Sequence, residues 1–241
     1  MLRRIAGLAR KELRVYVNSP VAYLAVLFFV LAASIHIFFV EQFLARNVAS
    51  LRSYFGIFPL LYAFIIPALT MRSFAEERRS GTDELLLTLP IREFELVAGK
   101  FLAALSLVTV MLILTLPVPW TLTPLGDFDS GEILGEYLGT FLLAASGLAF
   151  GIFVSALSSH QISAFIVGLS GLLLITFLRS ITLFLQIPEP IASLLTELSL
   201  QYRFQSFTRG VVDSRDLLFF LLSMFIFLYG TAKVLVIRRW R

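Results

Sequence analysis

Side chains that commonly carry out chemistry are scarce in this chain. Its 241 residues include two His and no Cys, so the sequence offers no disulfide framework and no thiolate metal site. His36 lies in an apolar stretch, where we interpret it as a polar packing residue, and His160 lies in a short turn. No acidic pair and no His-Glu-x-x-His motif occurs within an apolar stretch. We therefore predict no catalytic residues, no metal site and no intramembrane protease or transferase activity.

Nucleotide chemistry has no recognisable site either. Gly99-Lys100 lacks the preceding glycines of a phosphate-binding loop, and no loop is long enough to form a nucleotidase domain. We predict that the chain binds no cofactor itself and that ATP and Mg²⁺, if they drive it, bind to a partner chain. No ring of charges indicates a selective channel, whereas a passive scaffold is an alternative that the sequence leaves open.

The remaining composition is that of a membrane protein. Hydrophobic residues make up 58% of the chain and charged residues 15%, whereas soluble domains are about 45–50% apolar and about 25% charged. The apolar residues form blocks, and a bilayer-spanning helix needs about 20 of them in succession. We predict an all-α polytopic protein with one transmembrane domain over residues 1–241. The predicted spans are residues 21–40, 54–71, 101–120, 137–157, 162–178 and 217–237.

The distribution of positive charge predicts the orientation. Most of the 20 Lys and Arg residues lie on one side if both termini and residues 72–100 are cytoplasmic. The predicted external loop 121–136 carries Glu132, Glu136 and two further acidic residues, and it has no Lys or Arg. We therefore predict a multi-pass membrane protein with both termini in the cytoplasm, in contact with lipid and without a nucleic-acid partner. The first span is too long for a signal peptide.

A cationic helix precedes the first span. On a wheel of about 100° per residue, the basic residues of segment 2–17 fall within roughly 120°, opposite an apolar face. This pattern is typical of a helix in the headgroup layer, and an ordinary cationic flank is the alternative. Ser19 and Pro20 predict the N-cap and first turn of the next helix. The membrane-surface residues are Arg3, Arg4, Arg10, Lys11 and Arg14.

The charged segment 72–100 is the richest polar region of the chain. We predict that residues 72–79 continue the second span as a helix and that Gly81 forms a left-handed C-terminal cap. Thr82 is then placed as the N-cap of a second short, leucine-rich helix, which Pro90 ends. A short capped helix of this kind suits docking onto a partner. A solvated loop with its leucines on the bilayer surface is the alternative.

These residues also carry a resemblance to a known family. The blocks at 70–72, 76–82, 84–86, 89–90 and 99–101, together with 204–216, resemble the permease subunit of type 2 ABC transporters. The likeness is nearest to the branch of the gliding-motility and nitrous-oxide-reductase-maturation permeases, and it covers essentially the whole chain.

The resemblance implies a six-span half-transporter of the bacterial inner membrane with an N-terminal elbow helix. Transporters of this kind usually serve export. Implied partners are two cytoplasmic ABC ATPase subunits and a second permease, either a copy or a paralogue. A non-transporting scaffold or mechanotransmission subunit of an envelope complex is the alternative. The implied ATPase-coupling residues are Glu76, Glu77, Arg78, Arg79, Gly81, Thr82, Glu84, Leu85, Leu86 and Pro90.

Small residues recur at four-residue spacing in the fourth span, which lets helices approach closely in lipid. We favour static packing over a sliding contact for Gly135, Gly139, Gly147 and Gly151. Arg179, at the end of the fifth span, is interpreted as a side chain that reaches the headgroups. Residues 181–216 have apolar residues at helical spacing on both sides of Pro188. They predict an external amphipathic hairpin. The resemblance implies a position near the substrate exit, and an interfacial lid with no substrate role is the alternative.

Overall fold

The protein is described by a computed structural model that covers residues 2–46, 49–81 and 92–239. All regular secondary structure in these residues is helical, which confirms the predicted all-α polytopic fold. Short π and 3-10 helices cover His36–Val40 and Thr123–Leu125. The described α-helices are α1 (Leu2–Val17), α2 (Pro20–Ile35), α3 (Phe43–Arg46), α4 (Arg52–Gly56), α5 (Phe58–Thr70), α6 (Ala75–Arg79), α7 (Glu93–Thr115), α8 (Pro117–Leu122), α9 (Ser130–Leu157), α10 (Gln161–Thr176), α11 (Leu178–Phe184), α12 (Glu189–Glu197), α13 (Leu200–Phe207) and α14 (Ser214–Arg239).

Within the described residues, five helical stretches are long and apolar enough to cross a membrane. A sixth is present if α10 and α11, which meet at an angle of 67°, form one broken span. The predicted fifth span, 162–178, therefore contains a bend that its sequence did not reveal. The five stretches are Pro20–Ala45, Arg52–Arg79, Glu93–Leu125, Ser130–Leu157 and Ser214–Arg238.

Two helices begin earlier than the predicted spans because polar residues cap them. The helix of the third span begins at Glu93 rather than residue 101, and the Arg92 amide donates to Glu95 Oε2 over 3.2 Å. The helix of the fourth begins at Ser130 rather than residue 137, where the Asp129 carboxylate accepts from the Gly131 amide over 2.7 Å. Capping by such side chains satisfies amides that a helix start leaves unpaired.

Helix α9 is the centre of the bundle. It packs against α5, α7, α10, α13 and α14, and 78% of its most apolar window is buried. The corresponding values are 22% for the span that begins with α2 and 17% for α14. These two helices therefore direct apolar side chains such as Leu24 and Phe225 outward, as expected for lipid contact.

The ends of the bundle differ in composition. We call one the α6 end; it contains α1, α6, the start of α7 and the α9–α10 turn, whose Leu157 carbonyl accepts from Arg238 over 3.4 Å. We call the other the hairpin end; it contains α4 and α11 to α13, and there Arg52 Nε lies 2.8 Å from Glu132 Oε1. A polar cluster therefore lies at each end of an apolar bundle.

Three helices form the region predicted as an external hairpin. Helices α11 and α12 pack on each other, and α13 joins them to α14 through Arg203. The Arg203 guanidinium donates to Asp216 Oδ1 over 2.9 Å and also pairs with the Glu197 carboxylate. Arg179 donates to Gln205 Oε1 over 2.9 Å. The structure thus adds a specific contact with α13, and the position of Arg179 at the headgroups stays a prediction.

Candidate coupling site

The backbone breaks between α5 and α6, where a continuous helix over 72–79 was predicted. The chain turns after Met71, and α6 starts at Ala75. The cause is Ser155 on α9, whose Oγ accepts hydrogen bonds from the Phe74 amide over 3.1 Å and the Ala75 amide over 3.3 Å. The same hydroxyl donates to the Met71 carbonyl over 3.2 Å. A side chain of the central helix thus caps α6 and sets its direction.

Lys100 is the most buried cation at this end, with a side chain only 3% exposed. Its Nζ lies 2.6 Å from Glu77 Oε1 on α6 and 3.3 Å from Glu12 Oε1 on α1. The Phe74 ring centroid lies 5.0 Å from the same ammonium. A buried charge is costly unless it is paired and hydrogen-bonded. This triad therefore connects α7, α6 and α1 at a single point.

Helix α1 lies close against α7. A Cβ atom at Gly99 would lie 2.7 Å from Leu8 Cβ, so only glycine permits this approach. The Tyr16 hydroxyl donates to the Leu69 carbonyl over 3.2 Å. Burial raises the pKa of Tyr16 to about 12, because the low dielectric disfavours the charged phenolate. Helix α1 is thereby attached to both α7 and the end of α5.

The cationic face predicted for α1 is exposed at the surface of the molecule. Ile5, on the opposite side, is buried, and α1 packs on α7 and α2. The apolar side of α1 therefore contacts protein over part of its length, where the sequence indicated only the headgroup layer. The exposed basic residues are Arg3, Arg4, Arg10, Lys11 and Arg14.

The predicted coupling residues separate into two groups. Glu76, Arg78 and Arg79 are exposed on α6, whereas Glu77 is directed inward to Lys100. Gly81 adopts the left-handed backbone predicted for it, with φ +69°. The other predicted coupling residues, Thr82, Glu84, Leu85, Leu86 and Pro90, lie outside the described part of the chain.

The glycines of α9 contact two different helices. A Cβ atom at Gly147 would lie 2.8 Å from Ile66 Cδ1, and one at Gly151 would overlap Thr70 Oγ1 on α5. At the hairpin end, a Cβ atom at Gly139 would lie 2.5 Å from Phe207 Cβ on α13. A Cβ atom at Gly135 would lie 3.0 Å from the Phe207 carbonyl oxygen. All four glycines therefore contact other helices of the same chain.

Sequence reasoning missed two buried acids at the hairpin end. Glu136 was placed in the external loop 121–136, but it lies within α9 and is fully buried. Within the described residues, neither of its carboxyl oxygens has a hydrogen-bond partner. Asp216 is 4% exposed and is held by Arg203. The four-residue spacing of Glu132, Glu136 and Thr140 was the available signal for a helical position.

The long apolar helices characterise a multi-pass membrane protein. At the α6 end, these helices are joined by the buried ion pairs of Lys100. A comparison with family models matches residues 6–215 to the ABC-2 family transporter protein family. The chain belongs to this family, so it is the membrane component of an ABC transporter. Such components are generally non-catalytic and typically work with ATPase partners. A comparison with curated proteins finds no match.

Proposed function

We propose that this chain is the permease subunit of an ATP-driven ABC exporter and that α6, with the residues after it, docks on a separate cytoplasmic ATPase. The observation that carries the proposal is the triad of Lys100, Glu77 and Glu12. It attaches α6 to α7 and α1 through one buried charge. A force applied to α6 is therefore transmitted to α7 and α1 through this ion pair.

The complex is proposed to contain two ATPase subunits and a second permease, either a copy or a paralogue. ATP and Mg²⁺ bind to the ATPases, and this chain is non-catalytic. The blocks at 76–82 and 204–216 support membership of the gliding-motility and nitrous-oxide-reductase-maturation branch. The excess of basic residues at the α6 end supports a cytoplasmic position for it and a bacterial inner-membrane location.

The proposed mechanism uses the exposed and buried faces of α6 differently. Glu76, Arg78 and Arg79 are exposed and form the docking surface. On the other face, the cap from Ser155 links the start of α6 to α9, which runs to the hairpin end and packs there on α13. Closure of the ATPases moves α6, and the movement passes through α9 toward the far side of the membrane.

The proposal is tested by purifying the tagged protein in mild detergent and identifying co-purifying chains by mass spectrometry. We expect a stoichiometric soluble chain with a phosphate-binding loop. The double variant Arg78→Glu/Arg79→Glu should lose that chain while the permease stays folded. The matched control Arg209→Glu/Arg215→Glu makes the same charge change at the hairpin end and should keep it. If no ATPase co-purifies under conditions that keep a known ABC complex intact, the scaffold alternative is favoured.

A further inference from the structure

A polar cleft and an apolar groove meet beside α1. The cleft, of about 550 Å³, lies between α1, the start of α2 and the end of α5. The groove, of about 580 Å³, lies between α1, α2 and α7. Tyr16 and Ala22 line both, so the two spaces adjoin at these residues. Each volume lies in the range of about 300–1,000 Å³ typical of small-molecule sites.

The groove has the character of an acyl-chain site. Its lining side chains are apolar apart from the Tyr16 and Tyr23 hydroxyls and Ser106. It opens on the outward side of the bundle, since Leu27 and Val110 are each about half exposed. The apolar lining includes Leu13, Val26, Leu27, Leu107, Val110 and Leu114.

The cleft carries charges of both signs in equal number. Its lining includes the cations Lys11, Arg72 and Lys100 and the carboxylates of Glu12, Glu76 and Glu77. Lys100 is already paired with the carboxylates of Glu12 and Glu77. Within the described part of the chain, the contacts of Arg72 are long, at 3.5 Å to Ser19 Oγ and 3.9 Å to Glu76 Oε2. A phosphate can therefore replace these contacts with shorter, charge-assisted hydrogen bonds.

We propose that this composite site binds one zwitterionic phospholipid from the bilayer leaflet at the α6 end. The phosphate lies at Arg72 and Lys11, and the headgroup ammonium lies at Glu76. One acyl chain passes Tyr16 and Ala22 into the groove. The equal charge of the lining favours a zwitterionic headgroup, because its ammonium neutralises Glu76, which the uncharged glycerol of phosphatidylglycerol cannot do. The lipid joins α1 to the end of α5.

The proposal relies on the proposed function only for the name of the leaflet, which is cytoplasmic if the α6 end is inside. Lipid binding requires no ATPase. Loss of lipid binding with the ATPase retained would therefore overturn this inference alone, and the reverse result would overturn the proposed function alone. A second copy of this chain bound in the groove would exclude the lipid. The native mass spectrometry described below would detect that dimer.

The test is native mass spectrometry of the detergent-purified chain titrated with phosphatidylethanolamine or phosphatidylglycerol. We expect one tightly held phosphatidylethanolamine per chain and weaker binding of phosphatidylglycerol. Arg72→Gln should weaken binding about tenfold, the effect of one charge-assisted hydrogen bond. Val110→Trp, which fills the groove, should weaken it by at least as much. The controls are Arg14→Gln on the exposed face of α1 and Ile113→Trp, an exposed α7 residue outside the groove lining.

Three results would overturn the proposal: no retained lipid, equal or tighter binding of phosphatidylglycerol, or variants that match their controls. Photolabelling with a diazirine-bearing phosphatidylethanolamine keeps the test independent of variant folding. We expect labels on residues 23–30 and 107–114 that unlabelled phosphatidylethanolamine displaces. Labels spread over all outward apolar residues, with Phe225 of α14 equally modified, would contradict a specific site.

Discussion

Lys100 Nζ lies 2.6 Å from Glu77 Oε1, and this pair joins α7 to α6. Glu77 is the neighbour of Glu76, which is exposed on the same short helix. Two adjacent acids thus have different roles, because successive helix positions point about 100° apart. Glu76 lies where the proposed docking surface borders the cleft beside α1, whereas Glu77 belongs to the buried junction.

Lys100→Met removes the shared cation while keeping the apolar stem. The Glu77 and Glu12 carboxylates both lose this buried partner, so we expect a loss of about 3 kcal/mol in the free energy of unfolding. Thermal unfolding in detergent measures this. Lys11→Met is the control, because Lys11 is exposed and 3.9 Å from Glu12, and its effect should stay within about 0.5 kcal/mol. Equal melting of the two variants would show that the triad does not hold the junction.

Gly151→Ala should separate α5 from α9. The added methyl would overlap Thr70 Oγ1, and overpacking of this kind costs about 1–3 kcal/mol. Gly56→Ala is the matched control, since a Cβ atom there has no neighbour within 4 Å. Thr70→Ala combined with Gly151→Ala should recover part of the loss in melting temperature. If the double variant is no more stable than Gly151→Ala, contact with Thr70 is not the cause of the loss.

Ser155→Ala should loosen α6 without unfolding the bundle. It removes the acceptor of the Phe74 and Ala75 amides, and loss of such a cap costs about 1 kcal/mol. Hydrogen exchange read by mass spectrometry should show faster exchange in residues 72–81 and unchanged exchange in α9. Ser158→Ala, three residues further on, removes only a bond to the Val154 carbonyl and should leave residues 72–81 protected. Slow exchange in both variants would contradict the capping role.

Arg203→Gln should weaken the packing of α12 and α13 at the hairpin end. It leaves Asp216, which is 4% exposed, without its charged partner, and breaking such a pair costs about 3 kcal/mol. We expect faster protease cleavage between residues 185 and 200, measured by limited proteolysis in detergent. Arg209→Gln, in the exposed turn after α13, should cleave at the wild-type rate. An unchanged rate for Arg203→Gln would mean that packing alone holds α12 and α13.

Local patterns predicted much of this fold. Blocked hydropathy indicated the membrane helices, and the wheel of residues 2–17 indicated α1 and its exposed cations. Gly81 predicted a left-handed backbone because residues other than glycine rarely adopt that conformation. Each of these features depends on a few neighbouring residues, so each is readable from the sequence.

The junction itself could not be predicted in this way. Lys100 pairs with Glu77 and Glu12 across three helices, and Ser155 caps a helix from about 80 positions away. The packing of α1 on α7 and of α6 on α9 brings these groups together. Glu136 misled the prediction because a carboxylate without a visible partner is typical of a loop, whereas its burial in α9 depends on the tertiary arrangement.

The most direct test of the central claim is photo-crosslinking from α6 in the intact complex. A photoreactive phenylalanine derivative replaces Arg79 in one sample and Arg215, at the hairpin end, in another. The account predicts that the Arg79 position crosslinks to a chain with a phosphate-binding loop and that the Arg215 position does not. Absence of a crosslink from the Arg79 position, or an equal crosslink from the Arg215 position, would contradict an ATPase docked at α6.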